Sequence, residues 1–205
     1  YDVEIAVPLF RFGLWVIGEG LLTWMILWLD ALIIGAYLSS WDLGLYRTGA
    51  TFVSIIFGLL LSPLLPVLFS GFSQIQQDRS RLVSAILRST KAVTLVAFPI
   101  SIGLFIVSDL LETVLFGEKW LGIGTVIGWI ALMQGLYWII GVNSEAYRAI
   151  HRTDLATKIM LLCVLYYIPA YLIAVQYDSL EIFIIVRFIV ASISIPIHLI
   201  VADKY

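Results

Sequence analysis

Cysteine occurs once in 205 residues, at Cys163, and histidine twice, at His151 and His198. One thiol excludes an intrachain disulfide and a thiolate metal cluster, and two imidazoles cannot make a histidine metal site alone. Charge is scarce as well. Asp, Glu, Lys and Arg make up 13% of the chain, about half the ~25% usual in soluble domains. A net charge of −2 argues against a nucleic-acid surface. The chain opens without a methionine and without the charged, apolar and small-residue order of a signal peptide, so it reads as a piece of something longer. No G-x-S-x-G, P-loop Gly-Lys or H-E-x-x-H is present. No catalytic residue, cofactor or metal is therefore expected. A His151…Asp154 step in a basic turn is what remains for an intramembrane transferase, and it is weak.

Apolar residues are abundant: 61% of the chain, against roughly 45–50% in soluble domains. Mean hydropathy is +1.03. So few charges cannot supply a polar skin, and the chain belongs in lipid. A bilayer core about 30 Å thick needs about 20 apolar residues per spanning helix. Six stretches qualify, at about 13–38, 47–69, 92–111, 121–142, 159–177 and 180–201. They are apolar on all sides rather than alternating, which excludes barrel strands. The expected fold is all-α: a polytopic bundle of six transmembrane helices forming one lobe over 1–205.

The connecting segments orient the bundle by their basic residues. With Arg11 inside, the inner segments also hold Arg79, Arg81, Arg88 and Lys91, then Arg148, Arg152 and Lys158, then Lys204. The outer segments hold Arg47 and Lys119, and collect Asp42, Asp109, Glu112, Glu118, Asp178 and Glu181. Both ends are thus expected on the cytoplasmic side. The inner segment 74–88 reads either as an amphipathic helix running into the third span or as a polar linker. Pro63, Pro66, Pro99, Pro169 and Pro196 fall in or beside the spans, as hinges or simply as shape. Gly124 and Gly128 form a G-x-x-x-G step, which lets another helix approach closely.

Ionisable groups deep in a membrane helix cost about 2.5–3.5 kcal/mol or more and face the protein interior or a watery cavity. Glu19, Asp30 and Arg187 qualify. Glu19 and Asp30 are three helical turns apart, nearly on one face. Two carboxylates on one wall suit cation coupling or sugar hydroxyls, or else each orients helix packing. Arg187 suits a phosphate through its planar fork, pairs with an acid, or snorkels outward. Asp30 and Arg187 share a depth in the outer half of the bilayer, so we expect them to face one cavity and pair in one transport state. Gln134 and Asn143 suit either sugars or contacts between helices. Tyr166, Tyr167 and Tyr171, with Trp24, Trp28, Trp129 and Trp138, suit sugar stacking or the lipid interface.

Residues 30–46 run Asp30…Gly35…Leu43-Gly44-Leu45-Tyr46. This stretch resembles the D-x-x-x-(I/L)-G…L-G-x-Y of Wzx-like polysaccharide flippases in the multidrug/oligosaccharidyl-lipid/polysaccharide exporter superfamily. Pro63 and Pro66, the polar 77–82 loop, Pro99…Gly103, Leu115-Phe116-Gly117…Trp120 and the Tyr147–Asp154 turn follow in the family's order. The chain departs from that pattern at Ala31, where the family often has Arg or Lys, and at His151, its turn glycine. The resemblance implies the second of two six-helix lobes, with an N-terminal lobe missing. It implies translocation of an oligosaccharide on an undecaprenyl-type lipid across the bacterial inner membrane by alternating access. A coupling cation, H+ or Na+, and polysaccharide assembly proteins are implied partners, beside membrane lipids. A non-transporting membrane scaffold is the alternative.

Overall fold

The computed structural model describes the backbone of residues 3–204, and the side chains of residues 10, 13, 14, 16–18, 20–152 and 154–200. Seven α-helices follow in order: α1 (Val3–Tyr37), α2 (Ser40–Leu61), α3 (Leu64–Ile75), α4 (Arg79–Leu111), α5 (Ile123–Ala149), α6 (Thr153–Ala174) and α7 (Leu180–Lys204). A π-turn at Glu112–Phe116 and a 3-10 turn at Glu118–Trp120 join α4 to α5. No strand occurs among the described residues. Among the described residues, six segments are long and apolar enough to cross a membrane: Val16–Tyr37, Ser40–Leu61, Arg79–Phe116, Ile123–Ala149, Asp154–Tyr177 and Leu180–Ile200.

The apolar stretch at 47–69 is divided between two helices. α2 starts at Ser40, inside the expected outer loop, because Ser39 and Asp42 form a capping box. Ser39 Oγ accepts from the Asp42 amide at 3.1 Å, and the Asp42 carboxylate accepts from the Ser39 amide at 3.2 Å. α2 stops at Leu61, and α3 restarts with Pro63 as its N-cap. Pro66 then sits in the first turn of α3, where amides lack intrahelical partners and proline costs no hydrogen bond. The 74–88 segment resolves the other way. α4 runs unbroken from Arg79, capped by Asp78 accepting from the Arg81 amide at 3.0 Å.

α5 is the centre of the bundle and packs against α4, α7, α2 and α3. α1 packs against α6 and α2, and α6 against α7. Lipid tails are as apolar as leucine, so helices associate here through close contact rather than water exclusion. α5 meets that need with Gly124, Gly128, Ala131 and Gly135, spaced four, three and four residues apart on one face. The three glycines pack on Ser108, Phe105, Ser101 and Ala97 of α4. At Gly135 a β-carbon would lie 2.5 Å from the Ser101 β-carbon. Leu21, Leu59, Leu95, Ile106, Leu165 and Ile200 stand outward, as a lipid-facing surface requires.

The two ends of the bundle differ in charge. Asp42, Glu112, Glu118, Asp178 and Glu181 mark the acidic end. There Glu112 accepts from the amides of Gly122 and Gly124 at 2.9 and 2.7 Å and so caps α5. Trp41 and Trp120 stack there with ring centres 5.9 Å apart. The basic end holds α3, the start of α4 and the α5–α6 turn. In that turn His151 takes φ 58°, the left-handed region that favours glycine. The backbone thus keeps a glycine conformation where the family-like pattern has lost its glycine.

Candidate functional site

α1 ends at Tyr37 and α7 begins at Leu180. Asp30 lies seven positions before Tyr37, and Arg187 seven positions after Leu180. Both side chains therefore lie about 10 Å inside the acidic end. They meet: Arg187 Nη2 is 2.7 Å from Asp30 Oδ2. Asp30 is 1% exposed. The structure thus brings together, as an ion pair, the two charges whose azimuth the sequence left open.

The same oxygen of Asp30 accepts from the hydroxyl of Tyr46 on α2. Its other oxygen accepts from the Ala31 amide at 2.6 Å. Tyr46 is wholly buried, and its ring centre lies 5.6 Å from the Arg187 guanidinium carbon. A second Arg187 nitrogen, Nη1, donates to Met133 Sδ of α5 at 2.9 Å. Arg187 Nε is buried without a hydrogen-bond partner. Four helices, α1, α2, α5 and α7, therefore converge on one charged knot. Thioether sulfur is a weak acceptor, so the Asp30 carboxylate is the main partner of the guanidinium, with the Tyr46 ring beside it.

These contacts explain the 30–46 stretch. Asp30 and Tyr46, at its two ends, face each other across the α1–α2 turn. Gly35 leaves room for Leu43, whose side chain would lie 3.1 Å from a β-carbon there. Ala31, where a basic residue would follow the acid, is buried in the core instead. The positive charge beside Asp30 comes from α7.

An aromatic file extends from the knot. Tyr46 meets Phe183 edge-on at 6.4 Å, Phe183 packs on Tyr171 at 5.0 Å, Tyr171 on Tyr167 at 5.7 Å, and Tyr167 on Tyr166 at 5.0 Å. The three tyrosines thus follow one another in a file, Tyr166 edge-on to Tyr167 and Tyr167 tilted against Tyr171. Tyr167 and Tyr171 are buried, as is Trp138, whereas Trp24 and Trp28 are exposed and Trp129 is half-buried. Arg47 lies 4.2 Å over the Trp28 ring.

The remaining candidates sit apart. Gln134 is half-buried on α5, next in sequence to Met133 but about 100° around the helix. Asn143 is buried ten residues beyond Met133, about 15 Å further along α5 toward the basic end. Glu19 lies on α1 and its side chain is outside the described residues.

Tyr46 and Met133 escaped the sequence-based site. Tyr46 was visible as the end of a motif, but nothing in a sequence shows that its hydroxyl reaches back sixteen residues. Met133 carried no signal beyond standing next to Gln134.

Among the described residues, cavities lie at opposite ends. One of ≈ 430 Å³, at the basic end beside the α2–α3 break, is lined by Ser62, Leu65, Pro66, Phe69, Glu145 and Arg148. The other, ≈ 200 Å³, opens between Asp42, Gly122, Thr125 and Glu181 at the acidic end. Among the described residues, no group of three or more His, Cys, Asp or Glu side chains is placed to hold a metal ion.

A multi-helix membrane bundle with a buried ion pair at its heart is the class that fold and site define. Residues 1–125, which include the whole Asp30–Tyr46 stretch, match the polysaccharide biosynthesis protein family, and the chain belongs to it. The likeness to Wzx-like exporters is thereby borne out. The chain is 29% identical over 136 residues to the succinoglycan biosynthesis transport protein ExoT of Rhizobium meliloti (strain 1021), covering 66% of this chain and 28% of that one. It is 30% identical over 157 residues to the teichuronic acid biosynthesis protein TuaB of Bacillus subtilis (strain 168), covering 76% and 32%. It is 26% identical over 177 residues to the lipopolysaccharide biosynthesis protein WzxC of Escherichia coli (strain K12), covering 86% and 36%. The chain spans about a third of the length of the curated relatives it matches. No solved structure matches it.

Proposed function

We propose that this six-span bundle helps move a lipid-linked oligosaccharide across the bacterial inner membrane by alternating access, working as one lobe against another, with both of its ends cytoplasmic. The reading rests on the Asp30–Arg187 pair in a family whose relatives are named for polysaccharide biosynthesis and transport. Burying a carboxylate and a guanidinium is costly, and a pair replaced by apolar groups is often as stable or more so. Such a pair, held by four helices at once, is well suited to being opened. Once open, the guanidinium presents a fork for a phosphate and the carboxylate a site for a coupling cation, H+ or Na+. Arg187 Nε, without a partner in the closed pair, supplies a further donor for that purpose.

The test is lipid-linked oligosaccharide accumulation in cells deleted for the gene. Reintroducing the protein should clear the accumulated lipid, and reintroducing Asp30→Asn should not, at equal membrane levels. Asp30→Leu combined with Arg187→Met separates this reading from a scaffold. Restored stability without export supports the transport role. Restored stability with export assigns the pair to architecture alone.

A further inference from the structure

α4 is too long for its span. Its 33 residues measure about 50 Å, and a bilayer core takes about 30 Å. Its apolar part begins at Ala92, so about 20 Å, residues 79–91, stand beyond the core at the basic end. On this projecting part Arg81, Ser84, Arg88 and Lys91 follow at three-, four- and three-residue steps, which places them in one row along the helix. All four are exposed. The opposite side holds Leu82 and Val93, both buried.

Among the described residues, no carboxylate forms an ion pair with Arg81, Arg88 or Lys91 of this row. Asp78, the acid nearest in sequence, caps the helix by accepting from the Arg81 backbone amide and makes no ion pair with the row. The other basic group at this end is different. Arg148 pairs with Glu145 at 3.0 Å, and Asp154 takes Arg152 at 3.0 Å and Lys158 at 3.1 Å. One basic cluster is ion-paired within the protein, three bases on two acids, and the other is not.

Depth then selects the counter-ion. Lys91 lies about 1.5 Å and Arg88 about 6 Å above the apolar boundary, within the headgroup layer. Arg81 lies about 16 Å above it, beyond the headgroups. Phosphate groups of anionic lipids occupy the first of these levels at high density. We propose that Arg88 and Lys91, with Ser84 alongside and Arg81 as an outlying charge, form a binding site for the phosphate headgroups of anionic phospholipids. The site requires only that the chain spans a membrane, so it stands or falls separately from the transport reading.

The test titrates the purified full chain in neutral detergent with phosphatidylglycerol or phosphatidylcholine and reads bound lipid. The wild type should prefer phosphatidylglycerol. A basic residue near an anionic surface contributes about fivefold, so Arg88→Gln and Lys91→Gln should each cost about fivefold in that preference. Arg81→Gln should cost less, and Arg79→Gln, on another face and further out, nothing. An unchanged preference in the Arg88→Gln/Lys91→Gln double variant would overturn the site. So would tighter binding of polyprenyl diphosphate, lost in the same variant, because the row would then belong to a carrier lipid. Competition by free pyrophosphate equal to that by lipid would assign it to soluble phosphate instead. Should a variant fail to fold, salt decides on the wild type. Raising NaCl from about 0.05 to about 0.5 M should weaken the preference, and insensitivity overturns it.

Discussion

Asp30 and Arg187 stand 157 positions apart in sequence and 2.7 Å apart in space, at matching depths on two helices that run in opposite directions. The pair joins the first spanning helix to the last across the acidic half of the bundle. Removing one partner leaves a buried charge unanswered, which costs about 3–5 kcal/mol in such sites. Arg187→Met alone should therefore unfold at markedly lower temperature in detergent. Adding Asp30→Leu should recover most of the loss. Losses that simply add in the double variant would show that the two charges act independently.

Tyr46 tests the third member of the knot. Its hydroxyl donates to an oxygen that Arg187 already holds. Hydrogen bonds to charged groups contribute about 1.5–3 kcal/mol. Tyr46→Phe keeps the ring on Phe183 and should lose about that amount in a thermal or denaturant melt. A variant as stable as the wild type would mean that Arg187 alone satisfies Asp30.

The α4–α5 contact gives a steric prediction with its own control. Gly135→Val should strongly destabilise the bundle, since its β-carbon would fall 2.5 Å from that of Ser101. Gly103→Ala, on α4 with nothing within 4 Å of where the new methyl would stand, should be neutral or slightly stabilising through better helix propensity. The two should separate clearly in detergent melting temperatures. Equal effects would remove close packing as the reason for the glycine row.

Orientation is open to labelling in intact cells. Cys163, the natural thiol, is buried. Introduced cysteines at Asp42 and Glu118 should react with a membrane-impermeant maleimide added outside. Cysteines at Gln77 and Arg152 should react only after permeabilisation. The reverse pattern would invert the bundle.

Membrane class, helix type and the number of membrane-length helices follow from composition and run length alone. Lipid offers no partner to a free amide or carbonyl, so long apolar runs have only the helix to adopt. The Asp30…Tyr46 stretch, the Gly124…Gly128 step and the replaced glycine at His151 were also legible as sequence patterns, whereas Gly135 joined the row only once α5 lay on α4. Depth along a helix is arithmetic at 1.5 Å per residue, and the shared level of Asp30 and Arg187 came from it.

Azimuth and neighbourhood were not legible. All-round apolar helices carry no moment strong enough to say which side faces which partner, so the sequence could not bring Asp30 of α1 to Arg187 of α7. Only the packed bundle decides that Tyr46 and Met133 complete the pair, and that Asn143 lies too far along α5 to join it. The break at Ser62–Pro63 likewise came from capping and proline chemistry competing within a continuous apolar run. Hydropathy counts such a run as one span because it weighs transfer free energy and not backbone hydrogen bonds. What the chain is made of settled where it resides and how it crosses; which charges meet was settled by side-chain packing between helices distant in sequence.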